Sequence, residues 1–165
     1  MNNLPPDFKY EDLTSQFAKD CARLHIEGIS TGFISSLGID FVTAVYRAVA
    51  SSEHAFGIVA LDYQNRPQGF IAFSTDINEL YKSVIKSNAL KFGLILGFKL
   101  CSLATLKRIF QTIFYPSKAE KMNLPKAELL AVAVDKTCRG KGIARTLVKK
   151  GLQRCPASQV SSVKV

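Results

Sequence analysis

Residues 139–144 of the sequence, Arg-Gly-Lys-Gly-Ile-Ala, have the composition of a turn that binds an anion. They follow a run typical of a β-strand, Ala127–Val134, and overlap the start of a run typical of a helix, Gly142–Arg154. Two glycines at such a junction let successive backbone N–H groups point outward, which a Cβ would hinder. The first N–H groups of a helix lack internal partners and lie at the positive end of the helix dipole. The segment therefore predicts a site for a phosphate or pyrophosphate group.

The predicted helix carries an apolar face and a basic stripe. Its apolar residues recur at spacings of three and four, and they are Ile143, Ala144, Leu147, Val148 and Leu152. Lys141, Arg145 and Lys149 follow one another at spacings of four, and Lys150 and Arg154 form a second basic pair. A lone basic stripe is commonly a solvated helix face. Next to a turn suited to phosphate, the stripe favours a polyanionic ligand.

Two common phosphate-binding motifs do not fit this segment. A Walker loop requires Lys and then Ser or Thr after its last glycine, whereas Gly142 precedes Ile143. A Rossmann fingerprint requires glycine or alanine where Arg145 stands and an acid about 20 residues later, but no acid follows Asp135. Both readings are therefore rejected.

The segment Val134–Ala144 instead resembles motif A of the GNAT N-acetyltransferases. That motif is a hydrophobic strand end followed by Arg or Gln, two residues, Gly, one residue, and Gly or Ala. Arg139, Gly142 and Ala144 are the matching positions, and many members have proline where Lys136 stands. The agreement of strand, turn, amphipathic helix and charge makes the match more specific than the six-residue motif alone.

The resemblance implies that the turn and the start of the helix bind the pyrophosphate of acetyl-CoA, which is the co-substrate. It also implies that the preceding strand hydrogen-bonds the pantetheine arm and the acetyl carbonyl through the backbone of Ala133 and Val134. The implied pyrophosphate loop consists of Cys138, Arg139, Gly140, Lys141, Gly142, Ile143 and Ala144.

Glu128, the one acid on the predicted motif strand, is the candidate catalytic residue. Acetyl transfer to an amine needs a neutral nucleophile, yet free alkylamines are protonated at pH 7 and require a base. The apolar neighbours of Glu128 would raise its pKa by desolvation. Its offset from Arg139 resembles the glutamate base of the histone-acetyltransferase branch, and the N–H of Val134 is the candidate oxyanion donor. The alternative is a strand-end carboxylate in solvent or paired with Lys126.

His25 and Glu27 end the predicted first helix, where the acceptor loops of the family begin, so the resemblance makes them candidate substrate-binding residues. The alternative for His25 is a helix cap, which is commoner at a helix C-terminus. Cys138 lies near a helix start and basic groups, but no partner for catalysis is evident. No two of Cys21, Cys101, Cys138 and Cys155 have the C-x-x-C spacing, so no metal site and no disulfide framework is predicted.

The elements that must position these residues form an α/β pattern of the α+β kind. We expect a strand at Phe8–Glu11, helices at Leu13–Glu27 and Ile39–Ser51, and a hairpin of strands Phe56–Leu61 and Gln68–Ser74. Gly28 is expected to end the first helix. With the motif strand and helix, this order resembles a GNAT fold, in which a mixed, mainly antiparallel sheet is flanked by helices.

Residues 75–126 form an insertion before the motif strand, where the family has a short connection. The pattern predicts helices at Asp76–Lys86 and Leu96–Tyr115. The segment is too hydrophobic for disorder. It is expected to cover the sheet edge, or else to serve as a lid, a dimer surface or a membrane-surface contact.

Residues 1–165 are expected to be a single GNAT-like domain that is incomplete at its C-terminus. Ser161–Val165 supplies only the start of the next strand, so the family's C-terminal strand–helix unit is missing from this sequence. An uncovered strand edge beside apolar surface invites association. We therefore expect either a homodimer, with Phe92–Phe114 as a candidate surface, or a poorly soluble monomer.

Composition narrows the function further. The chain has 165 residues, is 47% hydrophobic and carries a formal charge of +9. It lacks an apolar run long enough to span a membrane and a signal-peptide pattern, so the cytoplasm is the expected location. The sequence predicts an acetyl-CoA-dependent N-acetyltransferase acting on a small-molecule amine. The alternatives are a CoA-binding protein without turnover and a basic module for nucleic acid or an anionic surface, although no specific nucleic-acid motif is present.

Overall fold

The computed structural model of the chain describes residues 8–80, 82 and 127–155. The predicted helix at Leu96–Tyr115, the candidate dimer surface Phe92–Phe114 and the short strand at Ser161–Val165 lie outside the described residues, as do residues 81 and 83–86 of the predicted helix Asp76–Lys86. Of that last helix the structure describes one helical turn, at residues 77–80.

A four-stranded antiparallel sheet forms the centre of the described fold. Its strands are β1 (Lys9–Asp12), β2 (Ala55–Leu61), β3 (Pro67–Ser74) and β4 (Glu128–Val134), in the spatial order β1-β2-β3-β4. Strands β2 and β3 are apolar almost throughout because helices cover both faces of the sheet. The predicted fold class, a mainly antiparallel sheet flanked by helices, is confirmed.

A tight turn joins β2 to β3, as the sequence predicted. The Asp62 carboxylate accepts hydrogen bonds from the N–H groups of Gln64 and Arg66, both at 2.9 Å. Asn65 adopts a left-handed backbone with φ of 57°, a conformation that asparagine tolerates better than most residues. Burial alone would raise the pKa of Asp62. The hydrogen bonds and the charge of the Arg66 guanidinium outweigh burial and lower that pKa, so an ionised carboxylate holds the turn.

Among the described residues, helices α1 (Ala18–Gly28), α3 (Ile39–Ser51) and α4 (Ile143–Arg154) pack on the sheet, and the short helix α2 (Phe33–Ser36) packs on α3. Helix α3 has the predicted bounds. The prediction that the first helix starts at Leu13 is wrong, because Leu13 donates its N–H to the Gly57 carbonyl at 2.9 Å and is buried. A 3₁₀ turn at Ser15–Phe17 then leads into α1. Among the described helices, none is long and apolar enough to cross a membrane.

The sheet divides the core into two layers. Helices α1 and α3 cover one face, where Tyr46 packs edge-on against Phe70 with 4.9 Å between ring centroids. Helix α4 covers the other face, where Phe73 stacks on Phe56 at 5.5 Å. Because successive residues of a strand point to opposite faces, β3 serves both layers at once.

Two basic residues of α4 contact the sheet and are not simply solvated, as a basic helix face usually is. The guanidinium of Arg154 lies 4.8 Å from the centroid of the Phe56 ring and also pairs with Asp12 of β1. The Lys150 ammonium lies 5.3 Å from the centroid of the Tyr10 ring. Such contacts combine cation–π attraction with burial of the side-chain stems. The second basic pair of the sequence therefore attaches α4 to β1 and β2.

We expect Gly151→Ala to destabilise the fold. A Cβ at Gly151 would lie 2.2 Å from Cε2 of Phe73, and that ring is buried and stacked. Overpacking costs about 1–3 kcal/mol, against a helix-propensity gain of about 1 kcal/mol for alanine over glycine. Urea unfolding should show a net loss of unfolding free energy, whereas the exposed Gln153→Ala should be close to neutral. An unchanged midpoint for Gly151→Ala would contradict this packing.

Candidate functional site

The outer edge of β4 presents backbone groups away from β3. Asp135 donates its N–H to the Gln68 carbonyl of β3 at 2.8 Å. Along an antiparallel ladder the bonding direction alternates, so Ala133, opposite Phe70, also directs its N–H toward β3. Val134 and Val132 therefore direct their N–H groups to the opposite edge. Of the two backbone contacts that the sequence predicted, Val134 faces outward and Ala133 faces β3.

A β-bulge interrupts β4 near its start. Ala131 pairs with Ala72 and Leu129 pairs with Phe73, which leaves Leu130 as an extra residue. Leu130 and Ala131 consequently both contact the core layer of α1 and α3, although they are neighbours in a strand. Sequence reasoning missed this feature, because a strand that is apolar at successive positions has no alternation in which a bulge would show.

The turn after β4 contains two left-handed glycines. A 3₁₀ turn at Lys136–Cys138 is followed by extended backbone at Arg139 and by Gly140 and Gly142, each with φ of 78°. Gly142 is the N-cap of α4. A Cβ on either glycine would meet nothing within 4 Å, so the backbone conformation alone favours glycine here. We call residues 136–142 the donor turn.

Arg139 braces the donor turn against the strand. Its Nε–H donates to the Val134 carbonyl at 3.2 Å, five residues back along the chain. The Lys141 ammonium lies 4.0 Å from Sγ of Cys138. The Arg139 side chain therefore uses one N–H donor within the protein, and the rest of its guanidinium group is exposed at the surface.

A cleft of about 680 Å³ lies beside the donor turn and the outer edge of β4. Its lining includes every residue of the predicted donor-binding set except Lys141. It also includes Arg145 of the predicted basic stripe, and Gly28 and Val132, which sequence reasoning did not place at the site. The lining is Gly28, Val132, Ala133, Val134, Cys138, Arg139, Gly140, Gly142, Ile143, Ala144 and Arg145. Ile143 and Cys138 are buried, so their side chains belong to the core and their backbone is what the cleft can use.

Helix α1 ends against this cleft at Gly28. A Cβ on Gly28 would lie 3.2 Å from Cβ of Ala133, a tight contact that brings α1 close to β4. The sequence predicted Gly28 as the end of the helix, and α1 does end there. Its position in the cleft wall had no local signal, because it depends on how α1 crosses the sheet.

The cleft wall is cationic. Arg139 and Arg145 contribute two exposed guanidinium groups, and Lys136 and Lys141 of the donor turn are exposed beside them. The N-terminus of α4, a helix of 12 residues, adds free N–H groups and the positive end of its dipole. Together these groups suit a bound phosphate or pyrophosphate.

Glu128 lies at the other end of β4 from the donor turn, opposite Ser74 on β3. Six residue steps separate it from Val134, about 20 Å at about 3.3 Å each. Partial burial raises the pKa of Glu128 above its ordinary value of 4.5. The carboxyl is thus a better base than a solvated glutamate, although it does not line the 680 Å³ cleft.

His25 is buried in the core layer of α1 and α3. Its Nδ1 lies 2.6 Å from the Tyr46 hydroxyl, and burial lowers its pKa, so the imidazole is neutral at neutral pH. Glu27 is exposed and pairs with Arg23 at 3.2 Å. Neither residue lines the cleft. Their role as substrate-binding residues stays a prediction.

Within residues 8–80, 82 and 127–155, no three His, Cys, Asp or Glu side chains lie together as the ligands of a metal ion would. Cys21, Cys138 and Cys155 have free thiols, and burial raises the pKa of the Cys21 and Cys155 thiols.

The sequence profile of the Acetyltransferase (GNAT) family matches residues 33–165, which is most of the chain. The protein belongs to this family. The resemblance drawn from Val134–Ala144 is therefore confirmed, and family membership makes acyl transfer the class of reaction. Members generally use acetyl-CoA, and their acceptors are small molecules or proteins.

Several solved structures share the fold of this GNAT protein. The BH1408 protein from Bacillus halodurans is 15% identical, with a TM-score of 0.53 over 94% of this chain and 80% of that one. An aminoglycoside acetyltransferase from an uncultured soil metagenomic sample is 15% identical, with a TM-score of 0.51 over 96% and 78%. Arylalkylamine N-acetyltransferase 2 from Aedes aegypti is 16% identical, with a TM-score of 0.52 over 89% and 69%. No curated protein sequence matches the chain.

We expect the buried His25 to make folding stability depend on pH. Because its pKa in the folded state is lowered from 6.5, the unfolded chain binds a proton more readily. The contribution of the neutral His25 to the unfolding free energy should have its full value above about pH 6.5, and the unfolding free energy should fall as the pH is lowered below that value. Urea unfolding at several pH values measures this change.

The two histidines of the chain provide the matched comparison. His25→Gln should lose the pH dependence between about pH 7 and about pH 5, and His54→Gln should keep it. Equal pH profiles of the unfolding free energy for the wild type and His25→Gln would show that protonation of His25 does not cause the pH dependence.

Proposed function

We propose that this GNAT protein is an acetyl-CoA-dependent N-acetyltransferase whose acceptor is the amine of a small molecule. The observation that carries the proposal is the continuity of one cleft from the glycine turn at the start of α4 to the outward backbone edge of β4. An extended molecule with an anionic end and an amide-containing arm fits that combination of groups.

The donor turn would hold the pyrophosphate. The backbone N–H groups of Gly140 to Ala144, the free amides at the start of α4 and the exposed Arg145 would surround its oxygens. Ile143 and Cys138 keep the turn in place because their side chains are buried beneath it. Affinity for the anion would then depend chiefly on backbone geometry.

The pantetheine arm would run along the outer edge of β4. Val134 offers an outward N–H, while its carbonyl already accepts from Arg139. The sequence suggested Val134 as the oxyanion donor, but we assign that role to the N–H of Val132. Val132 has the next outward-facing N–H and lies nearer to Glu128 than Val134 does. If Glu128 is the base, the thioester must also lie near Glu128, so the N–H of Val132 is the better placed donor to the oxyanion.

Glu128 would act as the general base, directly or through a water molecule. It takes a proton from the acceptor ammonium, and the neutral nitrogen attacks the thioester carbon. The C–S bond then breaks and the acetyl group stays on the nitrogen, which gives up its second proton to form the amide. CoA leaves as a thiolate that takes up a proton and becomes the free thiol. Because about 20 Å of strand separates Glu128 from Val134, the acyl end of the donor has to reach past Val134 as far as Val132.

The acceptor would bind beside the C-terminal end of α1. Gly28 lies in the cleft wall, and Glu27 precedes it with an exposed carboxylate that now pairs with Arg23. An incoming ammonium could replace that exposed partner, since surface ion pairs of this kind are weak. His25, fixed to Tyr46, would shape the site from beneath. Two structural neighbours are named for aminoglycoside and arylalkylamine acetyltransfer, and both names describe small amines.

A second candidate is a protein that binds CoA without turnover, favoured by the absence of Glu128 from the cleft lining. The basic nucleic-acid or anionic-surface module has weaker support, because Lys150 and Arg154 are engaged with aromatic rings. A cytoplasmic location and a homodimer stay predictions.

Isothermal titration with acetyl-CoA, followed by thiol-release assays on a panel of small amines, tests the proposal. Arg139→Glu should abolish donor binding, because a carboxylate repels the pyrophosphate and cannot donate to Val134. Arg47→Glu makes the same substitution at an exposed position of α3, away from the cleft lining, and should retain binding. Absence of binding by the folded wild-type protein would reject the enzyme and the CoA-binding candidates together. Salt-sensitive binding of random duplex DNA in that case would favour the third candidate.

We expect Glu128→Gln to lower kcat by about 100-fold or more, in the range of general-base contributions, without changing the KM for acetyl-CoA. In the wild type, activity should fall with decreasing pH as Glu128 becomes protonated, at a pKa raised above 4.5 by burial. Glu53→Gln, at an exposed position, is the matched control. Equal kcat for Glu128→Gln and the wild type would leave the CoA-binding candidate as the better account.

The left-handed backbone of Gly142 gives a separate prediction for donor binding. Gly142→Val should weaken acetyl-CoA binding about tenfold, since a left-handed conformation costs a branched residue about 1–2 kcal/mol. Gly142→Asn should bind more nearly like the wild type, because asparagine tolerates φ of 78° and nothing within 4 Å obstructs a Cβ. Equal affinities of the valine and asparagine variants would show that the turn geometry does not limit binding.

A further inference from the structure

Asp135 organises the first half of the donor turn through its own side chain. Its Oδ1 accepts from the Thr137 N–H at 3.0 Å and from the Thr137 hydroxyl at 2.7 Å. Its carbonyl accepts from the Cys138 N–H at 2.9 Å, which closes the 3₁₀ turn. These bonds fix the direction in which the chain leaves β4 before it reaches the two glycines.

Gln68 of β3 supports the same turn from the other side. Its carbonyl accepts the Asp135 N–H, and its side-chain oxygen lies 3.6 Å from Sγ of Cys138. Its side-chain Nε2 donates to the Asp62 carboxylate at 2.8 Å. The turn between β2 and β3 is thereby connected to the donor turn through one glutamine.

Arg23 of α1 makes a looser contact. Its guanidinium lies 3.6 Å from the Asp135 carboxylate and 3.2 Å from that of Glu27. The Arg23 side chain is 42% exposed, and exposed ion pairs contribute little to stability. The two bonds to Thr137 therefore determine the conformation of Asp135 more than Arg23 does.

The Asp135 side chain does not face the donor cleft. Asp135 and Thr137 line a second, polar cleft of about 870 Å³, on which Arg23 and Gln68 also border. Asp135 is ionised at neutral pH, because its pKa is lowered first by the bonds from Thr137 and then by Arg23. A carboxylate so close to an anion site opposes anion binding electrostatically, so its presence needs a compensating role.

We infer that Asp135 is a positioning residue that orients the donor turn for the pyrophosphate without touching it. This inference rests on the proposed function, because it assigns a role in binding the donor. It predicts that two substitutions that remove the same charge have different effects on donor binding. Asp135→Asn keeps an oxygen acceptor for Thr137, whereas Asp135→Ala keeps none.

Titration of the full chain with acetyl-CoA separates geometry from charge. Asp135→Ala should weaken binding about tenfold, as expected for the loss of a cap. Asp135→Asn should bind as tightly as the wild type or more tightly, because it loses repulsion and keeps the turn. Asp40→Asn, which removes an exposed acid elsewhere, should bind like the wild type. Tighter binding by both Asp135 variants would overturn the inference and leave only an electrostatic effect.

A measurement without ligand distinguishes failure of this inference from failure of the proposed function. In ¹H–¹⁵N spectra of the free protein, Asp135→Ala should shift or broaden the amide signals of Gly140 and Gly142. The amide signal of Gly57 in β2 should stay in place, which also shows that the variant is folded. Unchanged Gly140 and Gly142 signals would overturn the inference even if the wild type binds acetyl-CoA. Changed signals in a protein that does not bind acetyl-CoA would instead reject the proposed function and the role in donor binding.

Discussion

The antiparallel pairing of β3 with β4 is the constraint on which the rest of the site depends. It uses the inward backbone groups of β4 as far as the bond from Asp135 to Gln68, and this leaves Val132 and Val134 facing the cleft. If the register shifted by one residue, the inward and outward amides would exchange, and the donor turn would leave the sheet in a different direction. The backbone pairing of β3 with β4 therefore determines the cleft more directly than any single side chain does.

Close packing on both faces keeps that ladder in place. On one face α1 approaches β4 where Gly28 meets Ala133, and on the other α4 approaches β3 where Gly151 meets Phe73. Both contacts have a glycine on the helix, so the helix axes lie nearer to the sheet than larger residues would permit. The two faces of the sheet thus hold the wall of the cleft and the base of the donor turn in a fixed relation.

Local patterns in the sequence predicted what local physics determines. The bounds of α3 followed from its apolar period and Gly38, and the turn between β2 and β3 from its Asp and Asn residues. The donor turn was recognisable because left-handed glycines at a helix start leave a clear pattern. The start of α1 was missed because Leu13 bonds to Gly57, which is 44 residues away in the chain. The bulge at Leu130, the burial of His25 against Tyr46 and the place of Gly28 in the cleft wall also depend on distant partners.

The bond from Arg139 to Val134 bears on what the family motif requires at this position. In the structure the arginine uses Nε–H, a single N–H donor, to reach back to the strand carbonyl. A glutamine has an amide N–H at a similar distance from its backbone, although it carries no charge. The motif accepts arginine or glutamine, and a shared donor explains this tolerance better than a shared attraction to phosphate does. A hydrogen bond to the strand carbonyl is therefore a function that either residue can perform at this position.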